Sequence, residues 1–153
     1  MYRDQVRRYE EQIKREEQLR RENEASKTKK DTDKNEELFT RLENLMKHEE
    51  IWRDKDLSVE KLASMLDTNR SYISRMFSSA GTTYNDYVNS YRIKEAVKVL
   101  SDPADDIPLK VLSDNLGYSS ISSFYRLFQK ETGVPPSHYR KESRKLKENK
   151  TAV

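Results

Sequence analysis

The sequence predicts an all-α fold: two helix-turn-helix subdomains joined by a long linker helix, about seven helices, preceded by a charged N-terminal helix. Three observations predict it. Apolar residues recur at helical spacing from Glu36 onward, no segment shows the period-two alternation of a strand, and one supersecondary pattern occurs twice. The copies are residues 57–88, LSVEKLASMLDTNRSYISRMFSSAGTTYNDYV, and residues 107–140, IPLKVLSDNLGYSSISSFYRLFQKETGVPPSHYR. Aligned, Leu62 meets Leu112, Leu66 meets Leu116, Ile73 meets Phe124, Arg75 meets Arg126, Phe77 meets Phe128, Gly81 meets Gly133 and Tyr87 meets Tyr139. The offset drifts from 50 to 52 residues, so the second copy carries two one-residue insertions.

In chain order, Tyr2, Val6, Tyr9 and Ile13 follow a 4-3-4 spacing, the a/d stripe of a short heptad seam. The next stripe positions, Glu16 and Arg20, are charged, so the seam lasts about two heptads. Residues 23–35 (NEASKTKKDTDKN) lack periodicity and predict a flexible polar linker. Residues 1–35 are thus expected to form a charged helix and linker, either a frayed solvated helix or a dimerising or signal-relay segment. Leu38, Phe39, Leu42, Leu45 and Met46 then predict an amphipathic helix ending near His48 or Glu49.

Ser58 is the expected N-cap of the next helix, whose inner face is Val59, Leu62, Ala63 and Leu66. A turn at Asp67-Thr68-Asn69 leads to a helix from about Arg70 to Ser79, with Ile73, Met76 and Phe77 inward and Gly81 as its stop. Thr83 and Asp86 make a capping-box-like start for the long linker helix, which ends near Ser101-Asp102-Pro103. Pro108 opens the next helix and Gly117 closes it. Another runs from about Ser120 to Glu131, and Pro135-Pro136 introduces a short last helix containing Tyr139. Residues 146–153 are expected to be a basic tail beyond a domain at 36–145.

Composition excludes several classes of function. The chain has no cysteine, so disulfides and thiolate metal sites are ruled out. With two histidines, His48 and His138, and three glycines, it offers no convergent catalytic cluster and no phosphate-cradling loop. No enzymatic activity, cofactor or metal is expected. No apolar run approaches the ~20 residues of a membrane helix and no signal-peptide core follows Met1, so no membrane contact is expected and the location is read as cytoplasmic. Net charge is +3, with 11 Lys/Arg and 9 Asp/Glu in residues 1–34 and 19 and 18 in the remainder. That balance does not by itself name a nucleic-acid partner. It would equally suit a helical protein-interaction adaptor that binds no DNA.

The faces of the repeated helices are more specific. In a helix-turn-helix unit the second helix presents a polar face, free of bulky apolar residues, to the major groove. Opposite Ile73, Met76 and Phe77 stand Arg70, Ser71, Ser74, Arg75 and Ser78; opposite Phe124 and Phe128 stand Ser119, Ser120, Ser122, Ser123 and Arg126, with Ile121 nearby. Arginine can grip a guanine O6/N7 pair or a phosphate, serine can bond bases or phosphates, and isoleucine can touch a thymine methyl. One serine-rich face could be plain solvated surface. Two at equivalent repeat positions, each with an arginine, point to double-stranded DNA. His138 is placed where a backbone phosphate contact fits better than catalysis.

Residues 36–145 resemble the DNA-binding domain of AraC/XylS-type bacterial transcription regulators. The matching stretches are LSVEKLASMLDTNRSYISRMFSSAG, YVNSYRIKEAVKVLSD and the second repeat, whose pattern is Gly117-Tyr118, Phe124, Arg126, Phe128, Gly133, Pro136 and Tyr139-Arg140. Gln129 departs from it, standing where a basic residue is common. The resemblance implies base reading by Ser71, Ser74 and Arg75 and by Ile121, Ser122, Ser123 and Arg126, a subdomain-joining role for Arg92, and RNA polymerase as a second partner. It implies core roles for Tyr118, Phe124, Phe128 and Tyr139. It also suggests the output end of a membrane-anchored or two-component-type regulator, with residues 2–22 as a relay or homodimerising helix and the sensing domain elsewhere.

Overall fold

The computed structural model describes residues 2–151 as α1 (Tyr2–Lys47), a 3-10 turn (Ile51–Arg53), α2 (Val59–Met65), α3 (Arg70–Ser79), α4 (Tyr84–Ser101), α5 (Leu109–Asn115), α6 (Ile121–Thr132) and α7 (Pro136–Thr151). No strand occurs among the described residues. The chain divides into two compact units, one up to Thr40 and one from Arg41 onward.

The first unit is helix, and the linker expected at residues 23–35 is helical too. Apolar periodicity reports which face is buried, whereas helicity also follows from propensity. No glycine or proline occurs before Gly81, and the first unit is rich in Glu, Arg and Lys, all good helix formers. The hydroxyls of Thr28 and Thr32 turn back onto the carbonyls of Glu24 and Thr28, at 2.9 and 3.0 Å, so these β-branched residues stay within the helix. Tyr2, Val6, Tyr9 and Ile13 remain exposed along their stripe.

The second unit holds two packed cores linked by α4. In the first, Leu42 and Met46 from the end of α1, Leu62, Ala63 and Leu66 from α2, and Ile73, Met76 and Phe77 from α3 are all buried. Tyr84 and Tyr87, from the start of α4, set their rings 6.2 and 5.3 Å from Phe77. In the second, Leu112 and Leu116 from α5 and Phe124 and Phe128 from α6 are buried. Ring contacts run from Tyr118 to Phe124 to Phe128 to Tyr139, at 5.4, 5.8 and 5.5 Å. Burying side chains of this size contributes roughly 1.5–3 kcal/mol each. Between the cores α4 buries Val88, Ile93, Ala96 and Leu100 in succession.

The caps follow from the sequence. Ser58 Oγ accepts from the Lys61 amide and Thr83 Oγ1 from the Asp86 amide, both at 3.1 Å. Asp67 takes φ 52°, the left-handed turn that ends α2. The last helix is longer than expected: α7 has 16 residues and absorbs the predicted basic tail as far as Thr151, while residues 152 and 153 lie outside the described residues. Its basic residues have a packing role. Arg140 donates to the Ile107 carbonyl at 2.6 Å, Arg144 to Asp106 at 2.8 Å, and Lys147 to the Ser101 carbonyl at the end of α4. The 4-3 spacing places all three on one face, where they cap carbonyls at α4's negative end and in the loop after it. No described helix is long and apolar enough to cross a membrane.

Candidate nucleic-acid interface

Both candidate recognition helices start from a side-chain cap. Asn69 Oδ1 accepts from the Tyr72 amide at 3.0 Å, and Ser120 Oγ accepts from the Ser123 amide at 3.1 Å. Burial of Ile73, Met76 and Phe77 turns Ser71, Ser74, Arg75 and Ser78 outward on α3, all exposed. The Arg75 guanidinium lies 5.2 Å from the Tyr72 ring, a contact that limits its rotamers. Arg70 is exposed but ion-paired with Glu60 of α2 at 2.7 Å, so its charge is partly answered within the protein.

On α6 the same logic exposes Ser122 and Arg126 and leaves Ile121 half-exposed. Two predicted serines are otherwise engaged. Ser120 is the cap itself, and its hydroxyl also donates to Ser123 Oγ at 3.0 Å; Ser123 is half-buried. His138 is exposed in the first turn of α7, a different element from either recognition helix.

Counting from the two caps pairs Arg70 with Ile121, Ser71 with Ser122, Ser74 with Tyr125 and Arg75 with Arg126. Tyr125, half-exposed with its ring edge-on to Phe124 at 6.1 Å, therefore occupies the place of Ser74 and was missed in the sequence reading. Its signal was present: the Ile73–Phe124 and Arg75–Arg126 matches already set Tyr125 opposite Ser74.

The two units of the repeat are held together around Arg92 of α4. Its Nε donates to the Trp52 carbonyl at 2.8 Å and Nη2 to the Asp54 carbonyl at 3.2 Å, while the guanidinium sits 5.3 Å from the Tyr118 ring. Burial is the largest influence on this arginine and draws its pKa down from the usual value; nearby Tyr118 opposes it. Tyr118 in turn donates its hydroxyl to the buried Asn89, and burial pushes the Tyr118 pKa up. Arg53 reaches the Asn115 carbonyl at 3.3 Å. At Gly117, φ is +86°, and an added Cβ would fall 2.8 Å from the carbonyl oxygens of both Trp52 and Arg53. The loop after α1 and the turn between α5 and α6 thus meet backbone to backbone, with α4 beneath them.

A helix-turn-helix domain model matches residues 62–142, more than half of the 153-residue chain and both repeated units. The chain belongs to the AraC/XylS-type helix-turn-helix family. This AraC-type chain is 35% identical over 85 residues to the uncharacterized HTH-type transcriptional regulator YobQ of Bacillus subtilis, covering 55% of this chain and 34% of that protein. It is similar to the C-terminal domain of the two-component response regulator yesN from Fusobacterium nucleatum, with 25% identity, a TM-score of 0.55, and coverage of 60% of this chain and 88% of that one. The fold is shared with the DNA-binding domain of AdpA, a global transcriptional factor solved with a target DNA, at 20% identity and a TM-score of 0.60, covering 71% of this chain and 94% of that one. The chain spans about a third of the length of the curated relatives it matches.

Proposed function

We propose that this AraC-type chain is the sequence-reading part of a transcription regulator, and that α3 and α6 enter successive major grooves of double-stranded DNA. The observation that carries the proposal is the pair of polar faces in equivalent places on two capped helices, each with an exposed arginine, braced by one rigid joint at Arg92. Successive grooves on one face lie about 34 Å apart, so one chain reads an asymmetric site of roughly 15–20 base pairs. Arg75 and Arg126 take guanine edges or phosphates, while Ser71, Ser74, Ser122 and Ile121 supply the remaining direct contacts. Arg70, Ser120, Ser123 and His138 serve as rim contacts to the backbone.

The test is selection of bound sites from a random DNA pool, followed by gel shifts with Arg75→Ala and Arg126→Ala. Each substitution is expected to weaken the selected site by about 1–3 kcal/mol and relax preference beneath its own helix. Intact sequence-specific binding by both variants would refute the groove assignment. A helical adaptor lacking DNA affinity would instead show no steep loss of DNA binding as salt rises.

The wider reading is of a cytoplasmic segment in which residues 2–22 form a homodimerising or relay helix, the intact protein being membrane-anchored or two-component-like, with RNA polymerase as second partner. The exposed stripe of Tyr2, Val6, Tyr9 and Ile13 supports the dimerising or relay helix alone. Sedimentation of the full chain against a 36–153 truncation tests the dimer; identical monomers would exclude it at the concentrations used.

A further inference from the structure

We propose that the groove between the end of α1 and α4 is a docking site for an acidic segment of another protein carrying a large apolar side chain. It is a groove of about 730 Å³ on which Met46, Trp52, Tyr87 and Tyr91 converge. The two tyrosine rings are 5.4 Å apart, edge to face. Met46 and Trp52 are buried and form the floor, while the half-buried Tyr87 and Tyr91 present apolar ring surface with polar atoms at the edge, apt for anchoring a large apolar side chain.

Charge selects the occupant. The carboxylates at the rim are already answered within the protein: Glu43 pairs with Lys47 at 3.8 Å, and Glu50 and Glu95 both pair with Arg53, at 2.9 and 3.4 Å. Lys94 and Lys98 line the same groove, are exposed, and take part in none of the ion pairs among the described residues. An incoming acidic segment meets Lys94 and Lys98 beside an aromatic surface, although part of the Lys98 charge already acts on Glu50. A basic one meets carboxylates that must first leave Arg53 or Lys47.

The position also fits a partner that binds while DNA is held. Tyr87, Tyr91, Lys94 and Lys98 follow i, i+4, i+7, i+11 and share one face of α4. Asn85, Asn89 and Arg92 lie on another face, in the cleft that contains Ser123 and Arg126. Only this point, access in the DNA-bound state, rests on the function proposed above.

Trp52 is the chain's single tryptophan and reports on the groove directly. The probe is a fluorescein-labelled peptide of repeated Glu-Glu-Leu-Phe units, titrated with the full chain while peptide anisotropy and Trp52 emission are followed; the control replaces each Glu by Lys. Binding by the acidic peptide alone, with a change in Trp52 emission, is expected. Reversing the exposed lysines, Lys94→Glu with Lys98→Glu, should weaken it about tenfold or more. The same double variant should bind selected DNA within about twofold of the original chain, as expected for charges remote from the DNA face. The proposal is overturned if the acidic peptide does not bind, if Trp52 emission is unmoved, if the reversal leaves affinity unchanged, or if it abolishes DNA binding too. Failure of the pool selection to return any site sinks the DNA reading and leaves the peptide result standing.

Discussion

Replacing Gly117 by alanine separates two costs that usually arrive together. A side chain in the left-handed region costs about 1–2 kcal/mol, and φ here is +86°. The added methyl would also meet the carbonyl oxygens of Trp52 and Arg53 at 2.8 Å, closer than Cβ atoms approach oxygen. Both obstacles are backbone, and the Trp52 carbonyl is held by Arg92 at 2.8 Å, so relief requires the 3-10 turn to move and that bond to lengthen. Overpacking of this kind costs typically 1–3 kcal/mol, for a total of about 2–5 kcal/mol. Against a domain stability of 5–15 kcal/mol that is a large share.

Gly81→Ala and Gly133→Ala are the controls. Their φ values are +72° and +84°, and nothing lies within 4 Å of an added Cβ, so each should cost only the conformational part, about 1–2 kcal/mol. Urea unfolding followed by far-UV circular dichroism gives all three numbers, with the slope checked for constancy so that midpoints compare directly. If Gly117→Ala is within about 0.5 kcal/mol of Gly133→Ala, the backbone contact does not brace the two subdomains and the reasoning fails.

Other outcomes follow from the same joint and faces. Arg92→Lys keeps the charge but cannot span both carbonyls and the Tyr118 ring, so a loss of roughly 1–3 kcal/mol is expected in urea unfolding; no loss would mean that charge alone suffices. Tyr125→Ser makes the α6 face resemble that of α3. Its effect should appear as altered base preference under α6 in a repeated pool selection, and an unchanged selected site would remove Tyr125 from the interface. Asp54, Asp106 and Asp114 are held below the ordinary carboxylate range, chiefly by side-chain hydrogen bonds from Lys61, from Arg144, and from Lys110 with Lys55 respectively. Because their folded pKa values are depressed, their stabilisation is fully present above the ordinary value of 3.8 and is lost as pH falls through the folded values. Urea midpoints should therefore stay level down to about pH 5 and drop below about pH 4, less steeply in high salt, since these pairs are exposed. A midpoint rising on acidification would contradict this.

Legibility varied with the kind of interaction. Ser58 and Thr83 marked helix starts through their caps, Pro108 through its fixed φ, and Gly81 and Gly117 marked helix ends, because such signals act within a turn of the chain and are visible in sequence. The outward faces of α3 were equally readable, since Ile73, Met76 and Phe77 fix the inner side by periodicity. Residues 23–35 are helical without apolar periodicity, because an exposed helix has no buried face for periodicity to mark. Arg140, Arg144 and Lys147 conceal their packing role for a related reason: a run of positive charge carries no sign of the carbonyls that receive it until Ser101 to Ile107 are brought alongside. Ser120 and Ser123 looked like free donors, and only the cap geometry shows them bonded to each other.

Residue order is enough for the local part: helical elements, their caps, two apolar cores in one repeated pattern, and the arginine on each outward face. Such features depend on residues within a turn or two of one another, where spacing stands in for geometry. How the halves meet depends on contacts between residues distant in the chain. Trp52, Asn89, Arg92, Gly117 and Tyr118 span 67 positions, and their contacts exist because Asn89 and Arg92 of α4 reach both the loop after α1 and the turn between α5 and α6. No periodicity records a hydrogen bond formed 40 residues away, as from Arg92 to Trp52, so the joint between the two subdomains exists only in the folded chain.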